Sequence, residues 1–449
     1  MRLTGTMRIN AQGHLEVGGI DVLDLVREFG TPLYVLDEEG FRANCRAFRD
    51  AFAKYGHSLV IYASKTLSCL AACIIVEEEG LGLDVVSGGE LYTALRASFP
   101  PERIFFHGNN KTLDELVMAV ESRVGRVVVD NFYEIELLEN VCERLGRTQN
   151  ILLRITPGVE AHTHEYIKTG QIDSKFGFTL ANGDALKAVD TVCRTKNLRL
   201  MGLHCHIGSQ IFEMNAYAHA TEIMVDILTE IKNRFGLELE ELNMGGGFGI
   251  YYHSGDEPRQ PEEWAKAVMS TLRSKTEANA LRMPKVIVEP GRAIAGPAGI
   301  TLYTLGSYKE IPGVRKYVAV DGGMTDNPRP ALYGSKYEAV IANRADREPD
   351  ELVSVAGRCC ESGDMLIWDV KLSHPQPGDI LAVFATGAYN YSMSSNYNRV
   401  GRPAMVLVRD GQADLIVKRE SYEDLIRNDV IPERLARGDV VKIAAGKKL

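Results

Sequence analysis

From position 58 onward the chain alternates two hydrophobic patterns. Short runs rich in β-branched or apolar residues, each closed by a polar or glycine-rich turn, recur eight times. They are SLVIYASK (58–65), GLDVVSGGE (82–90), RIFFHGNN (103–110), RVVVDN (126–131), ILLRITPG (151–158), LMGLHCHIGS (200–209), ELNMGGGFG (241–249) and KVIVEPGR (285–292). Stretches of helical period separate most of them, for example 134–145, 217–235 and 262–278. Short apolar runs bounded by turn signals read as buried strands, and apolar residues three and four apart read as the inner face of a helix. Eight strand–helix units of parallel type predict a (β/α)8 TIM-like barrel. A doubly wound open sheet is the competing arrangement. The count of eight and the chemistry at the strand ends favour the barrel.

The flanks follow another grammar. Before position 36 the chain reads as short strands, and MRINAQGHLEV (7–17) alternates like a hairpin. Over 38–56 the pattern turns helical, with Phe41, Cys45, Phe48 and Phe52 on one face. Beyond about Ala293 come successive strands: ITLYTLGSYK, RKYVAVDGG, YEAVIANR, ELVSVAGR, DMLIWDVK, DILAVFA, PAMVLVRDG and ADLIVKRE. Asp410-Gly411 between the last two is a hairpin signal. The expected division is a barrel over 36–295 and a mostly β domain made of 1–35 and 296–449. No low-complexity linker separates them, so tight packing is expected.

Composition narrows the class. The 449 residues are 45% hydrophobic and 25% charged, as in an ordinary globular protein large enough for two domains. The net charge of −9 argues against nucleic acid or an anionic membrane as the main partner. No signal core opens the chain, and the longest uncharged stretch, 293–308, is short and broken by Pro297. The eight cysteines lack the paired C-x-x-C spacing of a zinc site, so no metal is expected, and their scatter suits reduced thiols in a cytoplasm.

A barrel carries its reactive groups at the C-terminal ends of its strands. Here those ends collect Lys65, Asp84, Ser87, Asn109, Arg154, His206, Ser209, the glycines 245–247, Glu289 and Arg292. Alone, Lys65 is an ordinary solvated strand end. In a closed pocket, a lysine whose pKa is lowered by burial can form a Schiff base. The turn Met244-Gly245-Gly246-Gly247-Phe248-Gly249 follows a strand and precedes a helical region, where backbone N–H groups can close on a phosphate. Such turns also serve plain geometry. Glu289 alone reads equally as a solvated carboxylate, and His206 as a core residue. A flat imidazole could instead stack on a flat cofactor ring, with Ser209 on its phosphate.

Ten motifs in order span nearly the whole chain: YASK (62–65), LDVVSGGEL (83–91), FHGNNK (106–111), DSKFGF (173–178), HCHIGSQI (204–211), GGGFGIYY (245–252), EPGRA (289–293), DNPRPALYGS (326–335), CCESGD (359–364) and GAYNYSMSSNYN (387–398). As a set they resemble the diaminopimelate decarboxylases, within the alanine-racemase-like, fold-type III pyridoxal enzymes. A small departure is Thr66-Leu67 after the lysine, read as touching the following helix and not the chemistry.

The resemblance implies pyridoxal 5'-phosphate as cofactor, carried by Lys65. His206 would stack on the pyridine ring, and Glu289 would bond the ring nitrogen and keep it protonated. Backbone groups of Gly246, Gly247, Gly291 and Arg292, with Ser209 and Tyr389, would hold the phosphate; Asp84 and Arg154 would complete the cofactor's surroundings. On the substrate side it implies Arg292, Arg329 and Tyr333 at a distal carboxylate, with Tyr389 alongside, and Glu361 at the distal ammonium. Cys360 would come from the other subunit and sit near the reacting carbon, which implies a homodimer with shared active sites. The implied reaction is loss of CO2 from the D end of meso-2,6-diaminopimelate to give L-lysine, the last step of lysine biosynthesis. The returning proton comes from Cys360, Lys65 or a water.

Three other readings stand beside this one. A decarboxylase of ornithine, arginine or carboxynorspermidine would share EPGR and HIGS. Two guanidinium groups suit a carboxylate, whereas a distal ammonium wants an acidic residue, so Arg329 and Tyr333 carry the distinction. CCESGD and DNPRPALY count against an amino acid racemase. A non-catalytic regulator should lack Lys65, Glu289 or the glycines, and all are present.

Overall fold

The computed structural model describes residues 2–158 and 174–436; Asp173 of the DSKFGF motif lies outside the described residues. Eight parallel strands, Ser58–Ala63, Gly82–Val85, Ile104–Phe106, Arg126–Val129, Gln149–Thr156, Leu198–His204, Glu241–Asn243 and Lys285–Val288, pair in sequence order. The last returns to the first through Val286 opposite Ser58, so the sheet closes into a barrel. The open-sheet alternative is thereby excluded.

Alternation along the strands explains what fills this barrel. Ile61, Phe105, Val128, Leu152, Met201 and Ile287 form one apolar plug inside it. Their neighbours in sequence, such as Val60, Tyr62, Val127 and Leu153, join the larger core beneath the surrounding helices. Above the plug the same strands turn polar, and that change makes the site. The helices are set by local signals: Thr112 and Glu115 form a capping box on Leu113–Glu121, and Asn131 caps Phe132–Leu145, which ends on the left-handed Gly146. Lys111 in the FHGNNK motif is structural. Its buried ammonium donates to Glu134 Oε1 at 2.6 Å and to the Val128 carbonyl at 2.8 Å, pinning one loop at the barrel mouth.

The second sheet orders its strands Met365–Leu372, Glu351–Ala356, Arg315–Val320, Gly299–Ile311, Leu33–Asp37, Ala404–Arg409 and Gln412–Val417. Ile380–Val383 pairs with Gly299–Ile311 and with Ala339–Ile341. The N-terminal strand Leu33–Asp37 thus lies in the middle of a sheet otherwise made by the end of the chain. Asp410 and Gly411 both hold positive φ, 50° and 77°, as the predicted two-residue hairpin requires.

The N-terminus departs from the expected run of strands. After the short strands Arg8–Ile9, Leu15–Val17 and Ile20–Asp21 comes a helix, Val22–Phe29. Asp21 caps it by accepting from Leu23 N, and Val22 and Leu25 are buried three residues apart. No described helix is long and apolar enough to cross a membrane.

Candidate active site

Each barrel strand delivers at least one polar residue to the mouth. Lys65 lies on the short turn Ser64–Thr66 after the first strand; Asp84, His107, Asp130, Arg154, His204, Asn243 and Glu289 follow in turn. Apart from the partly exposed Lys65 and Arg154, these side chains are buried. Lys65, His206, Ser209, Gly246, Gly247, Glu289, Gly291, Arg292 and Tyr389 line one pocket. A larger hollow of about 460 Å³ beside the N-terminal segment contains neither lysine nor histidine among its lining residues and lacks these groups.

The electrostatics of Lys65 differ from the expectation. Burial disfavours its ammonium, but Asp84, then Tyr389 and Glu289, outweigh that and leave its pKa raised. The sequence pattern supplied the burial and hid the neighbouring carboxylates. Burial likewise pushes Asp84 up, with His107 opposing. Both Asp84 carboxylate oxygens are buried without a hydrogen-bond partner. Arg154 sits 3.8 Å from Asp130 and its guanidinium lies 4.2 Å above the Phe176 ring; burial lowers its pKa.

Glu289 is not the solvated carboxylate that it could have been. Its Oε1 accepts from Asn243 Nδ2 at 2.7 Å and lies 3.0 Å from His107 Nε2, while Oε2 lies 3.4 Å from His204 Nε2. Burial alone would raise its pKa, but His107 and then His204 hold it well below the usual carboxylate range. Burial keeps His204 down at about 4 and His206 well below its ordinary value, so both are neutral. The Gly246 N–H donates to His206 Nδ1 at 3.2 Å, which fixes that ring and leaves its proton on Nε2.

The glycine-rich turn is closed by backbone. Ile211 N donates to the Gly247 carbonyl at 2.9 Å, and Tyr217 Oη donates to the Gly246 carbonyl at 2.6 Å. Gly247 holds φ of 106°, and a Cβ there would come within 2.2 Å of the Gly208 carbonyl oxygen. A Cβ at Gly246 would meet the Glu289 carbonyl oxygen at 2.2 Å. The turn leads into a loop before the helix Pro261–Ala278 and does not itself begin a helix.

Beside this cup lie two buried guanidinium groups. Arg292 donates to Tyr252 Oη at 2.7 Å and Ser209 Oγ at 2.9 Å, and sits 4.7 Å over the Tyr389 ring. Arg329 donates to Ser335 Oγ at 3.2 Å and lies 5.3, 5.5 and 5.9 Å from the rings of Tyr252, Tyr389 and Tyr333. Among the described residues neither arginine has a carboxylate partner, and the Nε of each is buried unbonded.

Residues 38–296 match the family model for the pyridoxal-dependent decarboxylases, over its pyridoxal binding domain. The chain is 54% identical to the diaminopimelate decarboxylase of Bacillus subtilis, over 93% of this chain and 95% of that one. It superposes on the diaminopimelate decarboxylase of M. jannaschii in complex with L-lysine with a TM-score of 0.91, at 37% identity, covering 97% of this chain and all of that one. The Helicobacter pylori diaminopimelate decarboxylase complexed with L-lysine gives a TM-score of 0.83 at 30% identity, over 91% and 98% of the two chains. The chain belongs to the diaminopimelate decarboxylase family.

Diaminopimelate decarboxylases use pyridoxal phosphate, and this mouth fits it. The unbonded Asp84 oxygens, the neutral oriented His206 and a backbone cup with no room for a Cβ suit a flat, phosphorylated ring. Not every motif residue faces that pocket. Ser87 caps the helix Gly88–Arg96, and the Asn109 carbonyl accepts from Asn131. Thr66-Leu67 precedes the helix Leu70–Glu78 and does not lie on it, and the Thr66 carbonyl accepts from Tyr389 N. Cys360 and Glu361 are exposed and do not line the Lys65 pocket of their own protomer. Their loop is tied to the one before Arg329 through Asp364, which accepts from Met324 N at 2.6 Å and Cys359 N at 2.7 Å. Sequence reasoning missed His107, His204, Asn243 and Tyr252 in this decarboxylase, although three of them stand inside the motifs 106–111, 204–211 and 245–252.

Proposed function

We propose that this enzyme removes CO2 from the D end of meso-2,6-diaminopimelate to give L-lysine, the last step of lysine biosynthesis. The observation that carries the substrate is Arg329, a buried guanidinium beside Arg292 that has no carboxylate partner among the described residues. A buried cation is costly unless paired, and a substrate with a second carboxylate supplies the missing charge. A substrate ending only in an ammonium, such as ornithine, would add like charge.

Pyridoxal phosphate, when bound, supplies the electron sink that accepts the pair left by the departing carboxylate. Lys65 would hold the cofactor covalently. His206 would lie against the ring, and Glu289 would bond its nitrogen. Ser209, Gly246, Gly247, Gly291, Arg292 and Tyr389 take the phosphate, while Asp84 and Arg154 complete the pocket wall. Arg292, Arg329, Tyr333 and Tyr389 orient the distal carboxylate.

Cys360 and Glu361 act from the partner subunit of a homodimer, Glu361 at the distal ammonium and Cys360 near the reacting carbon. Their exposure on a loop tied to the Arg329 segment supports this. An active monomer in sedimentation at assay concentration would overturn it. The proton returned to carbon comes from the partner's Cys360, from Lys65 or from water. The barrel is residues 38–295, two residues later than expected because Leu33–Asp37 belongs to the second sheet; the described residues before 38 and after 295 form the domain that carries the substrate loops. The enzyme works in the cytoplasm, which suits its free, exposed Cys193 and Cys360.

The test is CO2 release from meso-diaminopimelate with added pyridoxal phosphate, with the LL isomer as control. Release from the meso form with L-lysine as product supports the reading. Cofactor absorbance without release would overturn the substrate, and neither would overturn the enzyme.

A further inference from the structure

Glu289 is held more elaborately than a ring-nitrogen contact alone requires. Oε1 accepts from Asn243 Nδ2 at 2.7 Å and has His107 Nε2 beside it at 3.0 Å, outside hydrogen-bond geometry, so that this ring nitrogen is buried and unbonded; Oε2 has one longer neighbour, His204 Nε2 at 3.4 Å. The two imidazoles meet edge to face, 4.8 Å between centroids. Asn243 cannot turn over, because its Oδ1 accepts from Gly245 N at 2.9 Å. His204 Nδ1 is buried and unbonded, so its single proton serves best on Nε2, toward Glu289. His107 Nε2 also lies 3.7 Å from Asp84. Lys65, Arg154, Cys205, His206 and Asp130 are other titratable groups that bear on this corner.

A carboxylate oxygen accepts two hydrogen bonds. Oε1 is crowded by Asn243 and His107, whereas Oε2 has room for one more donor. We propose that His107 and His204 are positioning residues that clamp Glu289 with Oε2 free for the cofactor's ring nitrogen and hold the negative charge on the carboxylate, so that the proton stays on the ring. The sign follows from the equilibrium between a carboxylate facing a protonated ring and a carboxylic acid facing a neutral one. Donors to the carboxylate favour the charged pair. Removing them in a dry site moves the proton to Glu289 and weakens the ring as an electron sink. The inference rests on Glu289 being the partner of the ring nitrogen.

The experiment loads the enzyme with pyridoxal phosphate labelled with 15N in the ring and reads that nitrogen's NMR shift, which reports ring protonation independently of turnover. Wild type should show the pyridinium position. His204→Leu and His107→Leu should move it toward neutral pyridine and each lower kcat by about tenfold, with little change in KM. His107→Gln, whose amide nitrogen reaches the place of Nε2, should restore both, and it keeps the test open should the leucine variants not fold. An unchanged nitrogen shift in folded His107→Leu and His204→Leu overturns the inference. So does a stoichiometric transition metal in the purified holoenzyme, since these three side chains bring ligand atoms within 4.8 Å of one another. A wild-type enzyme that binds no cofactor, or shows a neutral ring, would instead overturn the role given to Glu289.

Discussion

The backbone N–H of Tyr389 donates to the carbonyl of Thr66 at 2.8 Å. One bond thereby ties the second domain to the turn that carries Lys65. Tyr389 makes it with φ of 65°, a conformation that costs a non-glycine residue on the order of 1–3 kcal/mol. The ring that results lies over both Arg292 and Arg329. Tyr389→Phe keeps the backbone and the ring and removes only the hydroxyl. Its denaturation midpoint should match wild type, while affinity for pyridoxal phosphate should fall by about tenfold or more, the worth of a hydrogen bond to a charged group. Titration of the cofactor into apo-enzyme checks it; unchanged affinity removes the hydroxyl from the phosphate site.

Gly247 and Gly146 both hold positive φ but differ in surroundings. A Cβ at Gly146 meets nothing within 4 Å, whereas one at Gly247 meets Gly208 O at 2.2 Å and Tyr217 Oη at 3.0 Å. Gly146→Ala should cost only the left-handed penalty, about 1–2 kcal/mol. Gly247→Ala should cost more and also distort the cup, lowering cofactor affinity at least tenfold. Urea unfolding of both variants with one cofactor titration separates backbone strain from steric exclusion; equal losses would mean that the cup relaxes around the methyl.

The barrel was legible because its signal is local. Each strand is a short apolar run with its own turn, and SLVIYASK or RVVVDN says as much alone. The motifs then marked Lys65, Glu289 and the glycines. His107 and His204 escaped because a lone histidine on an apolar strand reads as core; only barrel closure, Val286 opposite Ser58, shows that they converge on Glu289. That neighbouring groups raise the Lys65 pKa escaped for the same reason, since Asp84 and Glu289 reach it from other strands. The helix Val22–Phe29 was lost among strand-like neighbours, although Asp21 and the spacing of Val22 and Leu25 marked it.

Asp326 offers a pH test of the fold. Buried under Tyr303, it has its pKa raised by burial to about 7, against bonds from Tyr303 and Gly323 N that pull the other way. Below the ordinary aspartate range both folded and unfolded chains carry its proton. Between about 4 and 7 the unfolded chain has lost it and the folded one has not, so stability falls as pH rises, by up to about 1.4 kcal/mol per pH unit. Above about 7 the contribution is flat. Asp326→Asn, which copies the neutral form, should remove that slope. Urea midpoints at pH 5 and pH 8 decide it: an equal slope in wild type and variant would assign the pH dependence elsewhere.

Arg329 sets binding against stability. Its guanidinium is buried among Tyr252, Tyr333 and Tyr389 with no described carboxylate beside it. Replacing a buried charge by an apolar chain of similar length is often neutral or stabilising, so Arg329→Met should leave the substrate-free enzyme at least as stable as wild type. With Arg329 at the distal carboxylate as proposed, the same change would remove a charge-assisted contact worth about 2–5 kcal/mol. It should therefore raise KM for meso-diaminopimelate at least thirtyfold or so, with a smaller effect on kcat and none on the cofactor's absorbance. Steady-state kinetics and a thermal melt on one preparation test both halves. Unchanged KM would remove Arg329 from the substrate site, whereas a large loss of stability with raised KM would mean that the guanidinium holds the 326–335 loop as well as the ligand.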